Sequence, residues 1–194
     1  MIRLSPRLLA LIPLAVGINL AMGKVASAMS LPVYLDTVGT VLVAALVGPG
    51  AAVMTGLVSQ TAFTILDGKL MWMAFLPVQL GVALYAGWMS RLGMFASPWK
   101  AAAGGLGLGL LAATLSWPIS YLVFGGVTAT GVTAITTVLT ALGIPLQWAV
   151  YVASLGTDLL DKCVTFLLVY VLLSSLPRRT AAAFPAANRA RGRP

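Results

Sequence analysis

"LPVYLDTVGTVLVAALVGPG", residues 31–50, poses the fold problem in one line. A single carboxylate, Asp36, opens an apolar run that closes on Gly48-Pro49-Gly50. As a helix over 32–48 the run would reach about 25 Å at ~1.5 Å per residue, just under a ~30 Å hydrocarbon core. Pro32 suits a first-turn position, where its missing N–H costs nothing. Asp36 then falls in the first turns, favoured by the helix dipole, or serves as the N-cap. Gly39 and Gly48 permit the close helix contact on which membrane packing relies. Gly48-Pro49-Gly50 predicts a tight turn, with Pro49 starting the next helix. The aspartate is left half explained, and a polar site at that end is its competing use.

The rest of the chain has the same character. Of 194 residues 60% are hydrophobic and 8% charged, against ~25% charged in soluble domains. The fold class expected is all-α, a polytopic membrane protein. Cys163 is the lone cysteine, so no disulfide can form within one chain. Histidine and glutamate are absent, and the acids are Asp36, Asp67, Asp158 and Asp161 alone. Histidine-held zinc, Ser-His hydrolysis and glutamate general bases are thereby excluded. Asp-only intramembrane proteolysis would want a Gly-x-Gly-Asp pattern, which is missing. Serine–lysine chemistry through Lys24 or Lys162 is the other residual route. A non-enzyme is expected, with no cofactor and no metal.

Six short transmembrane passes are read: 7–28, 32–48, 51–67, 71–91, 101–125 and one from about Gln147 to 176. The Thr/Gly-rich stretch between the fifth and sixth is expected to be an outer loop with a short helix. These make one domain, 1–176, followed by a basic, irregular cytoplasmic tail, 177–194. With the N-terminus inside, Arg3, Arg7, Arg91, Lys100 and the five tail arginines lie inside, while Lys24 and Lys69 lie outside. That bias places both termini in the cytoplasm of a plasma (bacterial inner) membrane. The net charge of +8 then reads as anchoring beside anionic lipid rather than nucleic-acid binding. A signal peptide ending in "VASA" is the alternative for residues 1–28, and Asn19 and Lys24 interrupt it.

Polar residues recur at helical spacing. Gly56, Gln60, Thr64 and Asp67 share a face of the third pass. Gln147, Tyr151, Ser154, Asp158, Asp161 and Thr165 do so in the last, where Lys162 is placed to pair with Asp158. A charged group near mid-bilayer costs on the order of 2.5–3.5 kcal/mol, so such groups face protein or water. Two readings stay open. One is a structural ion pair, Asp158 with Lys162, with Lys24 joining Asp161. The other is a ligand cavity in the outer half lined by Asn19, Lys24, Asp36, Gln60, Asp67, Asp158, Asp161 and Lys162. Tyr34, Trp72, Trp117, Tyr121 and Trp148 would add stacking surfaces or serve as interfacial belts. In the first pass, Ala10, Ala15, Gly17 and Ala21 could give a flat face toward another membrane protein, or pack within the chain.

"GINLAMG", "LPVYLDTVGT", the "GPG" turn and "TGLVSQ", set in about 190 residues of short apolar helices with a basic tail, resemble the substrate-binding S component of an energy-coupling factor (ECF) vitamin transporter. The resemblance implies capture of a vitamin or related micronutrient from outside. It implies docking through small residues of the first helix on a membrane coupling subunit, with two cytoplasmic ATPases supplying energy. Consistently, the chain has no Gly-x-x-x-x-Gly-Lys-Ser/Thr loop. The family's Ala-x-x-x-Ala docking pattern is only approximated, by Gly17 and Ala21. The alternatives are a solitary secondary transporter using Asp158 or Asp161, for which no internal repeat is evident, and a structural membrane protein.

Overall fold

A computed structural model describes residues 6–29, 31–128, 131–177 and 184–192. Among them the chain is all-helical: α1 (Pro6–Ala28), α2 (Val38–Leu46), α3 (Pro49–Asp67), a 3-10 turn (Leu70–Phe75) running into α4 (Leu76–Arg91), α5 (Pro98–Leu122), α6 (Gly131–Ala141), α7 (Leu146–Ser175) and α8 (Pro185–Ala190). Among the described residues, four stretches are long and apolar enough to cross a membrane: Ala10–Ala28, Pro49–Asp67, Leu70–Arg91 and Pro98–Leu122. Large apolar side chains point outward along them, among them Leu14, Met54, Ile65, Leu84, Trp88 and Leu110. A water-soluble fold would bury such residues; a membrane protein turns them toward lipid.

Four of the six expected passes, the first, third, fourth and fifth, meet that length and composition. α7, at 30 residues, is long enough but carries Asp158, Asp161 and Lys162. The second pass is corrected more sharply. Its helix is only the nine residues Val38–Leu46, about 14 Å at ~1.5 Å per residue. Residues 31–37 are not helical, and Leu35 takes a left-handed φ of 54°. Such a backbone costs a leucine about 1–2 kcal/mol and cannot be part of a right-handed helix. Asp36 is therefore neither in the first turn nor the N-cap, which is Thr37. The turn after α2 is as expected: Gly48 has φ 123° and Pro49 opens α3. The expected short helix between the fifth and sixth passes is α6.

Glycines set how closely the helices approach. A Cβ at Gly39 would lie 2.1 Å from the Ala15 carbonyl oxygen, so α1 and α2 touch backbone to backbone. One on Gly87 would lie 2.5 Å from Pro49 Cβ, where the α2–α3 turn meets α4. The most extensive contact is between α5 and α7. There, Gly105 abuts Lys162 O and Cys163 Cα, both 2.7 Å from where a Cβ would sit, and Gly109 abuts Leu159 Cα at 2.7 Å. This small-xxx-small seam brings the upper part of α5 against the charged turn of α7.

The irregular tail does not hold for residues 184–192. α8 folds back on α2 and α4, Ala187 and Ala190 join the main core, and the Phe95 N–H donates to the Ala190 carbonyl at 3.1 Å. Two buried alanines and a packed Phe184 give the tail an apolar face that its arginine content conceals. Arg91, the turn after α4 and α8 thus mark one end of the bundle; residues 178–183 lie outside the described residues.

Candidate ligand-binding site

At the opposite end lies a cavity of about 760 Å³. Exposed residues mark its rim: Lys24 and Ser27 at the end of α1, Asp67 at the end of α3 and Lys69 just after it, and Ala134 of α6. Buried polar residues form its floor: Thr37, Gln60, Gln79, Ser116, Thr128, Asp158 and Lys162. Tyr34, Phe63, Trp72 and Phe75 supply aromatic wall.

The α5–α7 seam places Asp158 against Ser116, whose hydroxyl donates to Asp158 Oδ2 at 2.8 Å. One turn along α7, Lys162 is buried and pairs with Asp161. It also donates to Thr37 Oγ1 at 3.2 Å, lies 3.9 Å from Asp36 Oδ1, and stands 5.8 Å from the Tyr34 ring centroid. The expected Asp158–Lys162 ion pair is not among the described salt bridges, because Lys162 turns toward Asp161 and the residues before α2. Lys24 does not join Asp161 either; it pairs with Asp67 at the rim, their side chains 50% and 29% exposed. A rim pair so wet contributes about 1 kcal/mol or less.

Asp161 does a different task from Asp158. Its Oδ1 accepts the backbone N–H groups of Tyr34 (2.9 Å) and Leu35 (2.7 Å). The buried carboxylate thus clamps the left-handed turn at Leu35, and that turn aims Asp36 at the cavity. Gln79, from α4, donates through Nε2 to Asp36 Oδ2 at 3.3 Å. Gln60 donates to the Trp72 carbonyl at 2.6 Å, tying the 3-10 turn to α3.

Of the eight residues expected to line a cavity, Lys24, Asp36, Gln60, Asp67, Asp158 and Lys162 do so. Asp161 does not, being spent on the clamp. Nor does Asn19. It is fully buried, donates to Thr40 Oγ1 and Ser59 Oγ at 2.9 Å each, and accepts the Gly39 N–H at 2.7 Å. It is a polar rivet among α1, α2 and α3. Gln79, Ser116 and Thr128 were missed. Gln79 had a signal, as the lone amide in "FLPVQLGVALYAG"; Ser116 had one as the end of the small-residue row 101, 105, 109, 112.

The four candidate docking residues divide. Ala10, Gly17 and Ala21 are exposed, and with Leu14 they form one outward stripe at spacings of 4, 3 and 4. Ala15 faces the other way, buried against Val43 and Ala51, and is withdrawn from that face. No protein-family model, no curated protein and no solved structure matches the chain, so its function rests on the cavity and the helices that build it.

Proposed function

We propose that this chain is a membrane binding subunit that captures a small, polar organic molecule in the cavity between α1, α3, α4, α5 and α7. The carrying observation is that Asp158 and Lys162, buried charged residues of the long helix α7, face a cavity of about 760 Å³, within the ~300–1,000 Å³ range of small-molecule sites. Charge that an apolar helix turns toward a cavity is an ordinary mark of a solute site. The Lys24–Lys69 end is the outer one, since Arg91, Lys100, Arg189 and Arg191 gather toward the other. In the manner of an ECF S component, the chain hydrolyses nothing. It delivers its vitamin-like ligand inward when a membrane coupling subunit, driven by two cytoplasmic ATPases, engages the Ala10–Gly17–Ala21 stripe.

The test is a thermal-shift screen of purified protein against B vitamins, their precursors and nucleobases. A true ligand at ~100 times its Kd should add about 2.7 kcal/mol of stability. The shift should vanish in Asp158→Asn, which keeps the volume and the bond from Ser116 but removes the charge. A shift of equal size in Asp158→Asn would place binding elsewhere.

A further inference from the structure

Resting on the binding-subunit reading, we infer that the cavity is built for an organic cation carrying a flat ring. Charge is the first ground. Two carboxylates of the cavity lining, Asp36 and Asp158, and a third outside it, Asp161, gather around one ammonium, Lys162. Asp161 is consumed by Lys162 and two backbone N–H groups. Asp36 keeps a distant ammonium at 3.9 Å and one amide donor, and Asp158 keeps one hydroxyl donor. The rim adds a closed pair, Lys24 with Asp67, and Lys69 exposed to solvent. This corner therefore holds more carboxyl groups than its one ammonium can pair, in a low-dielectric setting that favours their charged forms only beside a matching positive charge.

An unpartnered group is the second, independent ground. Gln79 is 3% exposed and lines the cavity. Its amide has one workable orientation: the NH₂ must face the Asp36 carboxylate, because the oxygen there would meet a like charge. Its Oε1 is then left buried with no hydrogen-bond partner. A buried amide oxygen without a donor is costly, and a ligand N–H supplies the donor. On the same wall, Trp72 Nε1 is also buried without a partner and asks for an acceptor.

Aromatic surface is the third ground. Trp72, Phe75 and Phe124 form a mutual cluster with centroids 5.2–5.8 Å apart, and Trp72 and Phe75 line the cavity. Ring faces attract cations and stack on flat rings. A neutral ring would leave the carboxylates unmatched; an anion would be repelled by them.

Matched probes test this on the purified full chain in lipid nanodiscs. One series keeps the ring and changes the charge: 1-methylnicotinamide, methylated on the ring nitrogen (cation), nicotinamide (neutral) and nicotinate (anion). A larger pair, nicotinamide riboside and nicotinic acid riboside, fills more of the cavity. Affinity is read by calorimetry and by thermal shift. Expected is at least tenfold tighter binding of each cation than of its neutral or anionic partner. That discrimination should collapse in Asp36→Asn and in Asp158→Asn, whichever of the two folds better. Neutral or anionic probes binding as tightly as cations would overturn the charge inference and leave the binding-subunit reading standing. No probe of any charge binding a protein that unfolds cooperatively, together with an empty vitamin screen, would overturn both.

Discussion

Lys162→Met should destabilise the protein by about 3–5 kcal/mol, the loss typical when one partner of a buried ion pair is removed. Methionine keeps the apolar stem and deletes only the ammonium. Asp161 would then lie fully buried with two backbone N–H groups but no counter-charge. Asp36 would lose its cation at 3.9 Å, and Thr37 its donor. The damage should spread to the residues before α2, since the Leu35 turn is held by the Asp161 carboxylate. Adding Asp161→Asn should recover much of the loss, because an asparagine oxygen still accepts the Tyr34 and Leu35 N–H groups without leaving a bare charge. A double-mutant cycle on unfolding by sodium dodecyl sulfate reads the coupling directly. If Lys162→Met unfolds like the parent, the ammonium is not what stabilises this corner.

Gly109→Val should cost about 3 kcal/mol, the upper end of ordinary overpacking, and should remove ligand binding as well. The obstructing atoms are backbone: Leu159 Cα at 2.7 Å and Asp158 O at 2.9 Å from the new Cβ. They cannot rotate away, so α5 and α7 must separate. Ser116 lies two turns further along α5, and its 2.8 Å bond to Asp158 should open with the seam. Gly105→Val, against Lys162 O and Cys163 Cα, should behave alike. By contrast, Gly17→Ala on α1, where a Cβ meets nothing within 4 Å, should leave folding and binding intact. Unfolding midpoints and ligand titrations on the three variants separate seam from surface. A Gly109→Val protein with parental stability would mean that the helices are not so closely apposed.

Much of this was legible because membrane helices announce themselves by hydropathy and punctuation. Pro49, Asp67, Arg91 and Pro98 bound helices that the apolar runs already outlined. Helical spacing also picked Gln60, Asp67, Asp158 and Lys162 of the cavity residues, since polar groups in an apolar helix have few places to go. The failures share a physical cause. Hydropathy does not see φ, so the left-handed Leu35 that shortens α2 was invisible. Periodicity does not see partners, so Asn19 looked like a site residue when Thr40, Ser59 and Gly39 satisfy it. Asp158 and Asp161, three residues apart, share a broad face yet diverge by about 60°, at 3.6 residues per turn. That angle sends one to the cavity and the other to the Leu35 clamp. α8 was hidden because the five arginines of the tail, of which only Arg189 lies in the helix, outweigh its two buried alanines in any compositional reading.

The binding claim is tested most directly by equilibrium dialysis of the purified chain in nanodiscs against a mixture of vitamins, precursors and nucleobases, with the retained solute identified by mass spectrometry. Expected is a single solute retained near one per chain, and at least tenfold less of it on Asp158→Asn at equal folded fraction. A folded protein that retains nothing, or retains the solute equally well after Asp158→Asn, would contradict a ligand site at the floor of this cavity.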